Sequence, residues 1–290
     1  MSPAALEAPR LLLGGDALQG AAGVPRDRSL ELAARYHEPE SLAVSLSKAV
    51  VAGADGVLAT PTPQLRGALA LLKQTVPIYA LLPHPAAFRR DAADEGVAGV
   101  LRARARGAGF RVRVRHALAR ITHGWAAARG DLVGLVPLLL ELEAPRVRDL
   151  RGIVLSARLT DLALAARHRR FFERYGRFVH ARFGVVAGLE THNLGHLLRA
   201  LREWSLHVDL VVGPVNPAGV RMKPTPAELL DELRQTRVPV LAKELRGGGA
   251  VPLLAGARYA KEQGVYGMVA DLVDLEDLGG ELRALRAMQN

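Results

Sequence analysis

Lysine is scarce in this chain: among 39 Lys and Arg residues only Lys48, Lys73, Lys223, Lys243 and Lys261 are lysines. Arg keeps its proton at any working pH, whereas a desolvated Lys can lose it and form a Schiff base or act as a general base. Lys243 closes an apolar run at 238–242, which makes it the first candidate for chemistry. The structural alternative is a lysine paired with Glu190 or Asp271. Glu190 and His192 follow a second apolar run at 185–189 and offer a carboxylate and an imidazole two residues apart, the pairing that proton transfer uses. Lys243, Glu190 and His192 are therefore the expected catalytic groups. Successive strand residues face opposite ways, so only one of Lys243 and Glu244 can enter a shared site, and the apolar pattern leaves open which.

A second tier of polar residues also follows apolar runs. Asp16 comes after RLLLGG, His84 after VPIYALLP, Asn193 two residues beyond Thr191, Asn216 after VDLVVGPV, and Asp271 after YGMVA. These five are expected to bind substrate. Arg246, Gly247, Gly248 and Gly249, with Pro252 opening the next helix, form a candidate anion or cofactor cradle, because glycine backbone and a helix N-terminus both favour negative charge. Asp271, Asp274, Glu276 and Asp277 crowd the neighbouring loop and oppose phosphate there. No ligand spacing of a known metal site is present, and a single Glu-x-His does not make one.

Those residues need an architecture that brings strand ends together. Apolar runs at 10–16, 56–60, 76–82, 152–157, 185–189, 208–212, 238–242 and 266–272 alternate with segments of helical periodicity, such as Leu194, Leu197, Leu198 and Leu201. Runs apolar on both faces suit parallel strands covered by helices. Eight such units need roughly 250 residues, and the chain has 290. The expected fold is a single-domain (β/α)8 TIM barrel over 10–290, with a helical insertion at about 88–150 between the third and fourth strands. A doubly wound sheet is the alternative, since strand order is not legible in one sequence. In a barrel the site lies where the strands end.

Composition narrows the function. There is no cysteine, which excludes disulfides, thiolate nucleophiles and iron–sulfur clusters. A net charge of +10 invites a nucleic-acid partner, but the charge is Arg scattered through helices and aromatics are only 4%, too few for stacking platforms. A small-molecule ligand is expected instead. No basic start with an apolar core opens the chain, and no apolar run approaches about 18 residues, so a cytoplasmic protein without a membrane span is expected.

The segments GLETHNLGHLLRAL, VDLVVGPVNP and VPVLAKELRGGG, with RLLLGGDALQG near the start, are similar to the strands of the aldo-keto reductase superfamily. That resemblance implies the barrel fold and, by way of Gly247–Gly249, a place for NADP. It also implies an Asp, Tyr, Lys and His tetrad, which this chain lacks: Leu58 and Pro63 stand where the Asp and Tyr would fall, IYALLPHP holds no Lys, and Ser156 or Arg158 replaces the His. NADP is accordingly disfavoured. The leading expectation is an enzyme acting on a small polar or anionic metabolite. The rivals are a residual NADP-dependent oxidoreductase and a barrel that binds or assembles without catalysis.

Overall fold

The computed structural model describes residues 7–16, 26–106, 133–271 and 278–289. Eight strands form a closed parallel barrel in sequential order: β1 (Leu11–Gly14), β2 (Gly56–Ala59), β3 (Ile78–Leu82), β4 (Leu150–Leu155), β5 (Val186–Glu190), β6 (Leu210–Pro214), β7 (Val240–Lys243) and β8 (Gly267–Asp271). Closure is made by β1 pairing with β8, where Gly14 lies beside Asp271. This is the (β/α)8 architecture, and the doubly wound alternative is set aside by the closed strand order.

Along most of their length the strands are apolar on both faces because both faces are covered, and the alternation of side chains splits the core in two. Leu12, Leu58, Tyr79, Leu81, Val154, Val186, Leu210, Val212, Leu241 and Val269 fill the barrel interior. Their strand neighbours, including Leu11, Leu13, Val57, Ile78, Ala187, Val240, Ala242 and Met268, pack outward against the helices. Each fully buried Leu or Val contributes roughly 1.5–3 kcal/mol relative to exposure.

The helices are α1 (Arg26–Arg35), α2 (Pro39–Val51), α3 (Pro63–Leu71), α4 (Pro85–Arg106), α5 (Val136–Glu143), α6 (Ala157–Ala165), α7 (Arg169–Phe183), α8 (Leu194–Glu203), α9 (Pro226–Gln235), α10 (Leu253–Glu262) and α11 (Leu278–Gln289). Pro63 and Pro226 occupy first turns, where proline's missing N–H costs nothing, and Thr62 and Thr225 cap them by accepting from Leu65 and Glu228. On α8 the stripe Leu194, Leu197, Leu198 and Leu201 is buried, as its spacing requires. Aromatics of α7 behave likewise: Phe171, Phe172 and Tyr175 are buried, and the Tyr175 hydroxyl sits 2.8 Å from the Ile153 carbonyl and 3.1 Å from that of Gly188, tying α7 to β4 and β5. Between β3 and β4 lie α4, which breaks at Gly96 with φ 69°, then α5 and a short 3-10 turn, Ala144–Arg146. The basic segment at 111–129 and the acidic residues Asp274, Glu276 and Asp277 fall outside the described residues. No described helix is long and apolar enough to cross a membrane.

Candidate active site

Interior parity decides which polar side chains enter the barrel mouth. Counting by twos from Leu241 reaches Lys243, from Val269 reaches Asp271, from Val186 reaches Glu190, and from Leu12 reaches Asp16. Because all strands are parallel, those four positions lie at one end, above the apolar plug. Lys243 Nζ lies 2.5 Å from Glu190 Oε1 and 2.7 Å from Asp16 Oδ2, with Lys243 and Glu190 both about 9% exposed. Glu190 comes from β5, and β6 between the two strands presents Leu210, Val212 and Pro214 inward, so the long lysine stem spans an apolar gap. The second oxygen of Glu190 accepts the Ala157 backbone N–H, 3.2 Å away, at the start of α6.

Glu244 is sent elsewhere. Its backbone turns left-handed at φ 59° directly after Lys243, and its side chain pairs with Arg221. A non-glycine residue in that conformation costs on the order of 1 kcal/mol. The turn ends the strand and resolves the choice between Lys243 and Glu244 in favour of Lys243.

Asp271 completes the cluster in a different way. It is buried, and its Oδ1 has no hydrogen-bond partner. Gly14 makes room for it: a Cβ on Gly14 would come within 2.8 Å of that oxygen. Burial, then the Asp16 charge, push the Asp271 carboxyl up to about 7 against the pull of Lys243, with Glu244 adding to the rise. Burial by itself would lower Lys243, but Asp16, Glu190 and Asp271 outweigh it and hold the amine well above its ordinary value. The mouth thus holds a fixed ammonium and a carboxyl that changes charge near neutrality.

His192 is placed beside this cluster, not within it. Its Nδ1 lies 3.1 Å from Asp161 Oδ2 on α6, its backbone N–H donates to the same oxygen at 3.2 Å, and the side chain is half exposed. The hydrogen bond to Asp161 raises the imidazole above its usual value despite partial burial. Burial resists ionisation of Asp161, yet hydrogen bonds from His192, Thr191 and Asn193 more than offset it and lower its pKa. Thr191 Oγ1 donates to Asp161 at 2.5 Å and accepts from the Asn193 N–H at 2.9 Å, so this loop is held by one carboxylate. Asp161 is not among the sequence candidates because it lies inside α6, six residues beyond the end of β4 and away from the strand ends that nominated the others.

The other sequence candidates lie outside the Lys243 cluster. Asn216 is fully buried and exchanges two hydrogen bonds with Val220, donating to its carbonyl and accepting from its N–H, both at 3.0 Å. Asn193 sits at the N-cap position of α8 and lines a groove between α6 and α8 outside the barrel. Arg246 grips both oxygens of Glu281 on α11, at 3.0 and 3.2 Å. Gly247, Gly248 and Gly249 all have positive φ (54°, 72° and 93°), a conformation that favours glycine, and Gly247 and Gly249 donate back to Glu244 and Arg246. His84 follows β3, on the far side of the mouth, where its N–H donates to Glu143 Oε2 at 3.2 Å. Among the described residues no group of three or more His, Asp or Glu side chains is arranged to hold a metal ion.

No family model and no curated protein matches the chain. Solved structures do align with it, among them these two. Gox0644 in its apo form is 13% identical over 97% of this chain and 89% of that one, with a TM-score of 0.48. The N-acetylmannosamine-6-phosphate 2-epimerase of Clostridium perfringens is 13% identical over 92% and 89%, with a TM-score of 0.42. Neither likeness carries an argument about activity, and the aldo-keto reductase resemblance is not shown. The barrel stands on its own strand pairing.

Proposed function

We propose that the protein is a barrel enzyme that moves a proton on a small polar metabolite, with Asp271 as the group that takes and returns it. One observation carries this: a buried carboxyl, brought close to pH 7 by its surroundings, keeps an unpartnered oxygen next to a clamped ammonium. A general base works best when its pKa is near the operating pH.

The chemistry then follows from hydrogen-bond capacity. An ammonium has three N–H donors. Two are directed at Asp16 and Glu190, and the third, which has no partner among the described residues, is the one offered to a substrate oxygen. As the Asp271 carboxylate takes a proton from the carbon next to a carbonyl, the C–H electron pair moves onto the carbonyl oxygen, where Lys243 stabilises the charge. Return of the proton from Asp271 to the face it left completes the cycle with no oxidant or reductant. A Schiff base on Lys243 is the weaker option, because the carboxylates hold the amine protonated. NADP is weaker still, since Arg246 is already committed to Glu281.

The test is incorporation of solvent deuterium into a panel of small hydroxyketones and aldoses, read by mass spectrometry. We expect wild type to label one class, and Asp271→Asn to lose about 10²–10⁴-fold in rate. Equal labelling by both proteins, or none by wild type across the panel, would overturn the reading.

A further inference from the structure

We propose that the substrate carries an oxyanion, a phosphate or carboxylate, which binds between His84 and Arg158 at the ends of β3 and β4, across the mouth from Asp271. This inference rests on the proton-transfer reading for the other end of the substrate. The two strand ends are neighbours, with Leu82 paired to Leu155, and Ser156 Oγ donates to the Pro83 carbonyl at 3.2 Å. They therefore present His84 and Arg158, the second residue of α6, on one side of the opening.

The charges in this sector are opposite to those around Lys243. Arg90 and Arg104 from α4 and Arg158 from α6 face His84, against Asp91 and Glu143. The negative groups are already used: Glu143 takes Arg104 on one oxygen and the His84 N–H on the other, and Arg104 also holds Asp91 at 3.0 Å. Arg158 is exposed and makes no hydrogen bond or ion pair among the described residues, and Arg90 has only a loose 3.7 Å approach to Asp91. The His84 ring is half-buried and likewise has no hydrogen-bond partner among those residues. Burial and the guanidiniums of Arg104, Arg90 and Arg158 lower its pKa, so near pH 7 it is a neutral ring with one N–H to donate. A neutral imidazole donor beside an uncommitted guanidinium fork suits an oxyanion and no cation.

Position supports the same choice. Barrels often bind phosphate after strands seven and eight. Here the described residues of that quarter include Asp271 and the Arg246–Glu281 pair, in which the cation is already committed. The side chains around Lys243 carry three carboxylates against one ammonium, so an anionic group is repelled there and drawn to the β3–β4 side. Such a division would orient a substrate with its neutral, proton-exchanging end at Asp271.

Inorganic phosphate is the probe, added at constant ionic strength against chloride while His84 is followed by NMR, its signal assigned by its loss in His84→Gln. We expect saturable movement of the His84 resonance and a rise in its titration midpoint. Arg158→Gln should weaken binding at least about tenfold, as loss of a charge-assisted pair implies, while Asp271→Asn should bind as wild type does. No movement of His84, or equal binding by Arg158→Gln, overturns the proposal. Phosphate bound at His84 with no proton exchange on any substrate would sink the proton-transfer reading and leave the anion site standing. Proton exchange on uncharged substrates alone, with no phosphate effect, would do the reverse.

Discussion

The two ends of the barrel use carboxylates in opposite ways. At the end where the strands begin, Asp55 precedes β2 and accepts the N–H groups of Arg10 and Leu11 at 2.8 and 2.9 Å, with Arg286 alongside. Asp209 precedes β6 and accepts the Ala187 N–H at 2.7 Å, with His180 at 2.6 Å. Each side chain stitches a neighbouring strand and has donors waiting for its charge. At the end where the strands finish, Asp271 is buried with one oxygen unmatched, and Asp16 and Glu190 crowd onto one lysine. The same chemical group stabilises at one end and is held in tension at the other. Under the proposed function, that division separates a structural face from a catalytic one.

Removing the cation should produce the largest difference between the ends. Lys243→Met leaves Asp16, Glu190 and Asp271 together without a counter-charge. Breaking a buried ion pair from one side typically costs about 3–5 kcal/mol. We expect a loss of that order in chemical denaturation at pH 7, shrinking at acid pH as the carboxylates protonate. An unchanged midpoint would mean the cluster is solvated and not the tight clamp described here.

Asp271 gives a comparison with the opposite sign. Its native pKa of about 7 lies above the roughly 3.9 of an unfolded Asp, so between those values the native state binds more protons. Stability should therefore fall as pH rises from about 4 to about 7 and level off beyond, by at most a few kcal/mol from this group. Asp271→Asn should flatten that slope and be more stable than wild type near pH 8, even as it abolishes proton exchange. A slope that persists in the variant would assign it to another group.

The basal carboxylates should behave conventionally. Asp209→Asn weakens the acceptor for Ala187 and His180, and a cost of about 1–3 kcal/mol is expected, with proton exchange by the remaining folded protein unaltered. If that variant instead lost exchange while folded, the two ends would be coupled.

How far the sequence disclosed this arrangement follows from what local patterns can encode. All eight strands were legible because each is an apolar run bounded by polar or glycine residues, and strand ends then nominated Lys243, Glu190, Asp16 and Asp271. The phase of β7 was not legible: every residue at 238–242 is apolar, so the pattern cannot say which face is inside, and the left-handed turn at Glu244 is a consequence of three-dimensional closure. Long-range partners were hidden for the same reason. Arg246 looked available until α11 brought Glu281 to it, and nothing local tells that Gly14 is empty to admit an oxygen from β8. Asn193 and Asn216 were nominated by polarity, but asparagine after a strand more often satisfies the turn it sits in, as Asn216 does with Val220.

The smallest expected effect tests the margin between the two regimes, at His192. It lies next to the cluster in sequence yet is half exposed and bound to Asp161, so it shares the environment of neither end. Its folded pKa is raised, so the stabilisation it supplies is fully present below the unfolded value of about 6.5 and fades as pH rises through the folded value. Exposure screens the pair, which limits the contribution to at most about 1 kcal/mol. His192→Gln should therefore be slightly less stable than wild type near pH 5.5 and nearly equal to it near pH 8.5, by urea midpoints at both. Proton exchange should change little, because Asp271 and Lys243 do not need the imidazole. A hundredfold loss of exchange in folded His192→Gln would instead move His192 into the mouth with a substrate bound, and would make the loop after β5 part of the catalytic end.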